Sequence, residues 1–210
     1  MLFDRLKRVL LVLLLLTFTM LSSFEFFIDA ELIARIEKQY GPFAKKRFIA
    51  LGGLMEMLKD KDDPTKLERV NEFFNNVKYA SDRDIYGVSD YWATPWEFLG
   101  KDRGDCEDYV IAKYFVLKSL GVDYKKMYFT YVKSSKFSQT HMVLTYFATP
   151  TSEPLILDNL NRLIFPASKR SDLTPIYNFN GDVLNRSGEG SNKSHKKWDE
   201  LMENLKRKKI

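Results

Sequence analysis

The chain has one cysteine, Cys106, and only two histidines, His141 and His195. A thiol acts as a nucleophile through its thiolate and needs a base to generate it. Cys106 follows Gly104-Asp105 and opens an apolar run that ends at Leu120-Gly121. That pattern predicts a helix with the cysteine in its first turn. The free N–H groups and the dipole at that end favour a thiolate, lower its pKa and can hold an oxyanion. His195 sits in a polar tail, so the base falls to His141, at the start of a strand-like run over residues 141–147. A second such run, residues 155–158, follows a Pro-containing loop. If the two pair antiparallel about a centre between Thr149 and Pro150, positions summing to 299 oppose each other and Asp158 lies beside His141. A carboxylate there orients the imidazole and stabilises its protonated form.

Each residue also has a plainer role open to it. Cys106 can be an inert core thiol, His141 a structural or surface histidine, and Asp158-Asn159 the start of a turn. What favours chemistry is that three separate placements converge on one constellation.

Positioning these residues takes helices first and strands second. Asp29 can cap a helix from Ala30, with Leu32, Ile33 and Ile36 on one stripe and Gly41 as the stop. A second helix covers residues 42–59. Asp63-Pro64 reads as an N-cap with proline in the first turn of a third helix, running to about Val77. Residues 80–93 read as loop. Thr94-Pro95-Trp96-Glu97 is a capping box, and the helix over residues 106–120 follows. Residues 127–133, 141–147, 155–158 and 162–165 then read as strands. Further strands fall at 176–179 and 183–184, around an Asn180-Gly181 turn. The order predicts an α+β fold, N-terminal helices packed on an antiparallel sheet. Residues 188–192 look like a linker. Beyond them Trp198, Leu201, Met202 and Leu205 make one helical stripe among lysines and glutamates. That stripe suits a tail helix that is solvated, frayed or folded on the domain, or else a contact for a partner or membrane surface.

The net charge of +5 invites a nucleic-acid partner until it is located. Residues 1–23 contribute +2 and residues 193–210 contribute +4, leaving −1 on residues 24–192. The bulk charge of the folded part therefore gives no argument for phosphate binding. At the N-terminus Arg5, Lys7 and Arg8 precede an apolar run from Val9 to Leu16. Residues 1–23 are expected to be a signal peptide, or a signal anchor since the cleavage motif is poor. The domain, residues 24–187, then works in the periplasm, ahead of a linker and basic tail helix at 188–210. An exported domain with a single cysteine has no disulfide to make, so its thiol is a liability unless it is used.

The elements Trp92…Thr94-Pro95-Trp96-Glu97-Phe98, Gly104-Asp105-Cys106-Glu107-Asp108-Tyr109…Lys113…Leu120-Gly121, His141-Met142-Val143-Leu144 and Leu157-Asp158-Asn159 resemble the bacterial transglutaminase-like cysteine proteinases, the LapG-type periplasmic proteases among them. The likeness runs over residues 60–185, and the Gly-Asp-Cys-Glu-Asp-Tyr block with its downstream His and Asp is its specific part. It implies a papain-like, transglutaminase-like fold, with Cys106 as nucleophile, His141 as base then acid, and Asp158 as orienter. It also implies a calcium ion, with Asp105, Glu107 and Asp108 at the acidic ligand positions. Clustered carboxylates suit such a hard cation, although on residue type alone they equally complement a helix dipole. It further implies cleavage of a large surface adhesin near its N-terminus, which controls biofilm attachment. An inner-membrane cyclic-di-GMP receptor with a periplasmic domain would hold the enzyme in check. Trp92 and Trp96 are expected to divide between substrate cleft and core. A transglutaminase or amidase using the same acyl-thioenzyme, and a non-catalytic calcium-binding adaptor, are the competing functions.

Overall fold

The computed structural model describes residues 26–135, 140–182 and 193–210, the last segment by backbone alone over residues 193–195. The targeting segment 1–23, the strand expected at 183–184, the linker 188–192 and the side chain of His195 lie outside the described residues.

Six helices precede the main sheet among the described residues. Helix α1 (Ala30–Tyr40) starts where Asp29 accepts the Leu32 N–H at 2.7 Å. Gly41, at φ 85°, ends it and Pro42 opens α2 (Pro42–Leu58). Helix α3 (Asp63–Phe74) is capped by Asp62, one residue earlier than expected, with Pro64 in its first turn. A two-residue strand β1 (Lys78–Tyr79) follows. The stretch expected as loop holds a short helix, α4 (Asp82–Tyr86), capped by Ser81 and closed by Gly87 in the left-handed region. The signal was present as Ser81-x-x-Asp84 ahead of a glycine, but the turn is too short to show apolar periodicity. The Thr94–Glu97 capping box opens α5 (Pro95–Lys101) as expected. Strand β2 (Arg103–Gly104) pairs parallel with β1 and leads directly into α6 (Cys106–Ser119).

The main sheet contains β3 (Met127–Ser134), β4 (Thr140–Tyr146), β5 (Leu155–Leu157), β6 (Phe165–Pro166) and β7 (Leu173–Phe179). Its order is β6-β5-β4-β3-β7, antiparallel throughout. The strand expected at 162–165 is thus shifted and shortened, and β7 begins three residues earlier than expected. After it, Gly181 and Asp182 are helical where a hairpin turn was expected. One sheet face, carrying Met127, Phe129, Met142, Leu144 and Leu157, joins the main core with the helices. The other face carries a smaller cluster of Val132, Val143 and Ile156, with Ala167 and Leu173 against it.

The final helix, α7 (Lys193–Lys206), folds onto the domain. Trp198, Leu201 and Leu205 are fully buried. The Trp198 ring stacks on Phe115 at 5.9 Å and meets Phe129 edge-on at 5.2 Å. Gly181 makes room for it, since a Cβ there would fall 2.1 Å from the indole. At about 1.5–3 kcal/mol per large apolar side chain buried, this stripe is part of the domain's core.

Candidate active site

Helix α6 is held at its first turn. The Asp105 N–H donates to Asp108 Oδ2 at 3.3 Å, and Asp108 Oδ1 accepts the Ala93 N–H at 2.8 Å. Gly104 is required by this packing, because a Cβ there would meet Asp108 Oδ2 and the Phe98 ring at 2.5 Å. The first turn therefore rests on a buried carboxylate and a close backbone approach.

Strands β4 and β5 bring the base and its partner together. Their observed pairs, Leu144 with Leu157 and Tyr146 with Leu155, sum to 301. The hairpin is thus offset by two residues from the register expected from the loop centre. An offset of two keeps every side chain on its face, where an offset of one would not. His141 and Asp158 become diagonal neighbours, and His141 Nε2 lies 2.8 Å from Asp158 Oδ1. Both are buried. Asp158 as a carboxylate only accepts, so Nε2 carries the proton and Nδ1 of the neutral ring is bare. The Leu160 N–H also donates to Asp158 Oδ1 at 2.9 Å, and Arg170 Nη2 donates to Oδ2 at 2.7 Å. Burial pushes the Asp158 carboxyl up, but its bonds with His141, Leu160 and Arg170 outweigh that and leave it at about 2.

Cys106 lies near this pair, since the main chain of Met142, next in sequence to His141, is close enough to the sulfur to favour its charged form. The thiol itself donates to Glu107 Oε2 at 2.9 Å. Burial, then the neighbouring Glu107 and Asp105 carboxylates, hold the thiol well above its ordinary pKa. The structure therefore corrects the expectation of a thiol lowered by its helix terminus. The dipole's partial charge is outweighed by burial of the sulfur, to which the Glu107 carboxylate in contact with it adds.

Beside the sulfur, carboxylate oxygens of Asp82, Asp105 and Asp108 lie within 4.8 Å of one another. Burial is the first cause that raises each of them, with Asp82 reaching about 6. Asp82 Oδ2 accepts the Tyr91 N–H at 2.5 Å. Asp82 Oδ1 and Asp105 Oδ1 are buried with no hydrogen-bond partner among the described residues. Orphaned buried carboxylate oxygens facing one another fit an oxygen-seeking hard cation such as calcium. Of the expected ligands, Asp105 and Asp108 are in this cluster. Glu107 is beside it, with its carboxyl turned to Cys106 and against Asp105. Asp82 was missed because it lies in the stretch expected as loop. Trp92 and Trp96 are both core residues, stacked on Phe179 and Phe26 respectively, so neither lines a cleft.

The family model of the bacterial transglutaminase-like cysteine proteinases matches residues 53–176. Legionella pneumophila LapG is similar in structure, at 43% identity and a TM-score of 0.71, covering 85% of this chain and 98% of its own. Its EGTA-treated form gives 43% identity and a TM-score of 0.72 with the same coverage. Its calcium-bound form gives 44% identity and a TM-score of 0.71, covering 85% of this chain and 99% of its own. No curated protein matches by sequence. With the family model over more than half its length and these structures over most of it, the chain belongs to the bacterial transglutaminase-like cysteine proteinases, with their fold and cysteine-protease chemistry.

Proposed function

We propose that the chain is a calcium-dependent periplasmic cysteine endopeptidase that cleaves the N-terminal region of a large surface adhesin, releasing it and controlling biofilm attachment. The observation that carries the chemistry is the buried His141–Asp158 bond, on the strand whose next residue lies close to the only sulfur nucleophile in the chain. With Nε2 committed to Asp158, the bare Nδ1 takes the Cys106 proton. The sulfur attacks the peptide carbonyl carbon, and first-turn N–H groups of α6 receive the developing oxyanion. The imidazolium then returns its proton to the departing amine as the C–N bond breaks. Water, deprotonated by the same ring, hydrolyses the thioester and frees the thiol.

Asp82, Asp105 and Asp108 would hold calcium, with Glu107 as a further ligand beside them. When bound, the ion supplies positive charge that offsets the carboxylates around the sulfur. The similar LapG structures in calcium-bound and EGTA-treated forms support this assignment. Residues 1–23 would export the domain of residues 24–187 or anchor it in the inner membrane, ahead of the linker and tail helix at 188–210. A periplasmic receptor domain responding to cyclic-di-GMP would sequester it.

The test is cleavage of a purified N-terminal adhesin segment from the same genome. The wild-type chain should cut it in calcium and stop in EGTA, and Cys106→Ala should be inert in both. Cleavage by Cys106→Ala rules out the thiol mechanism. Incorporation of an amine into a Gln peptide without net hydrolysis favours the transglutaminase alternative.

A further inference from the structure

Behind Asp158, on the side away from His141, lies a buried arginine that no motif pointed to. Arg170 follows the short 3-10 turn Ala167–Lys169 and is 6% exposed. Its Nη2 donates to Asp158 Oδ2 at 2.7 Å and to Asp172 Oδ2 at 3.0 Å, while Nε donates to Asp172 Oδ1 at 2.9 Å. Asp172 thus grips the guanidinium by its fork, and the guanidinium grips the outer oxygen of Asp158. The inner oxygen is left for the His141 ring and the Leu160 N–H. The Asp158 carboxylate cannot swing about its last torsion without breaking the Arg170 bond. Asn75 Nδ2, at the end of α3, fixes the same residue through its carbonyl at 2.8 Å. A 120 Å³ cavity lined by Ser134, Asn161, Asp172 and Leu173 adjoins the pair, so packing alone does not hold the carboxylate in place.

We propose that Arg170 is a positioning residue of the protease, setting the plane of Asp158 and through it the tautomer and aim of His141, with Asp172 as its anchor. This rests on the assignment of Cys106, His141 and Asp158 as the reacting groups. The titratable and charged groups facing Asp158 are His141 from β4, Arg170 from the turn before β7, and Lys113 from α6. Loss of the guanidinium removes one of the interactions that keep Asp158 ionised in its buried position.

The full-length chain is compared with Arg170→Met, Arg170→Lys and Asp172→Asn in calcium, on the adhesin segment. Arg170→Met should lower kcat by about 10²-fold, the cost of a mispositioned group, with KM nearly unchanged. Its activity should fail at a higher pH on the acid side than the wild type's. Arg170→Lys should recover part of kcat, and Asp172→Asn should show a smaller loss of the same kind. The two histidines allow the His141 ring nitrogens to be followed by ¹⁵N NMR. The wild type should hold its proton on Nε2, and Arg170→Met should show a mixture of tautomers. If Arg170→Met melts, Arg170→Lys and Asp172→Asn decide the matter by the same readouts. An active wild type and inert Cys106→Ala, with kcat, acid limb and tautomer unchanged in the folded variants, overturn the role of Arg170 alone. Cleavage by Cys106→Ala overturns the assignment beneath it.

Discussion

At the residue scale, the fold holds one carboxylate charged and resists charging an amine, and the two differ in partners. Asp158 is lowered from 3.8 to about 2 by groups that favour its charged form. Its contribution to stability is therefore complete above pH 3.8 and disappears as the pH falls toward 2. It amounts to about 2 kcal/mol. Asp158→Asn should accordingly melt lower than the wild type at pH 6, and the gap should close near pH 2. Lys113 is the converse case. It is fully buried on α6, its Nζ has no hydrogen-bond partner among the described residues, and burial lowers it from 10.5 to about 7 despite the nearby Asp158. The unfolded chain binds that proton more tightly, so the penalty is complete below pH 7 and relieved as pH rises toward 10.5. Lys113→Met should raise stability near pH 6 by about 1–4 kcal/mol, and thermal melts should show the gain shrinking by pH 10. Cys106 and His141 stood out because the chain has one cysteine and two histidines, and the pairing of Asp158 with His141 was legible from the hairpin between their strands. Arg170 was not, because nothing in its local sequence distinguishes it from a surface arginine.

At the element scale, the site depends on how short connections end. The hairpin between β4 and β5 was placed two residues out of register from its loop. The side-chain pairing survived because strand parity tolerates an even shift. Helix α4 was overlooked for the opposite reason, since five residues carry a cap and a stop but no period. Its first residue, Asp82, is buried and completes the acidic cluster with Asp105 and Asp108. Asp82→Asn should weaken calcium binding by at least about 10-fold, measured calorimetrically on the full chain, while leaving the calcium-free fold intact. Equal affinity in the variant would place the ion elsewhere.

At the scale of the whole molecule, the C-terminal helix lies outside residues 53–176, which the family model matches, and still contributes to the core. Its stripe was visible in the sequence, but its destination depends on Phe115, Phe129 and Gly181, which only the tertiary structure brings together. The tail also reaches back to the segment before α5. Lys197 Nζ donates to the Asp90 carbonyl at 2.5 Å, Lys209 Nζ to the Tyr91 hydroxyl at 2.6 Å, and Thr94 Oγ1 to the Lys209 carbonyl at 3.0 Å. The positive charge of residues 193–210 is thus used partly within the molecule. Losing the burial of Trp198, Leu201 and Leu205, at about 2–5 kcal/mol each, rivals a typical total stability of about 5–15 kcal/mol. A chain cut after residue 192 should give no cooperative melt. A cooperative melt at the wild-type temperature would make the tail an appendage.

The central claim is that Cys106 is a nucleophile made competent by His141 and Asp158 and by cation binding at the adjacent carboxylates. As the only cysteine, it can be read by intact-mass kinetics of iodoacetamide alkylation at neutral pH, without any substrate. The account predicts one fast adduct in calcium. In EGTA the reaction should slow sharply, because burial and the hydrogen-bonded Glu107 carboxylate then hold the thiol protonated with no cation to offset them, and His141→Ala should be slow in both conditions. Equal rates with and without calcium, and with and without the His141 ring, would contradict it.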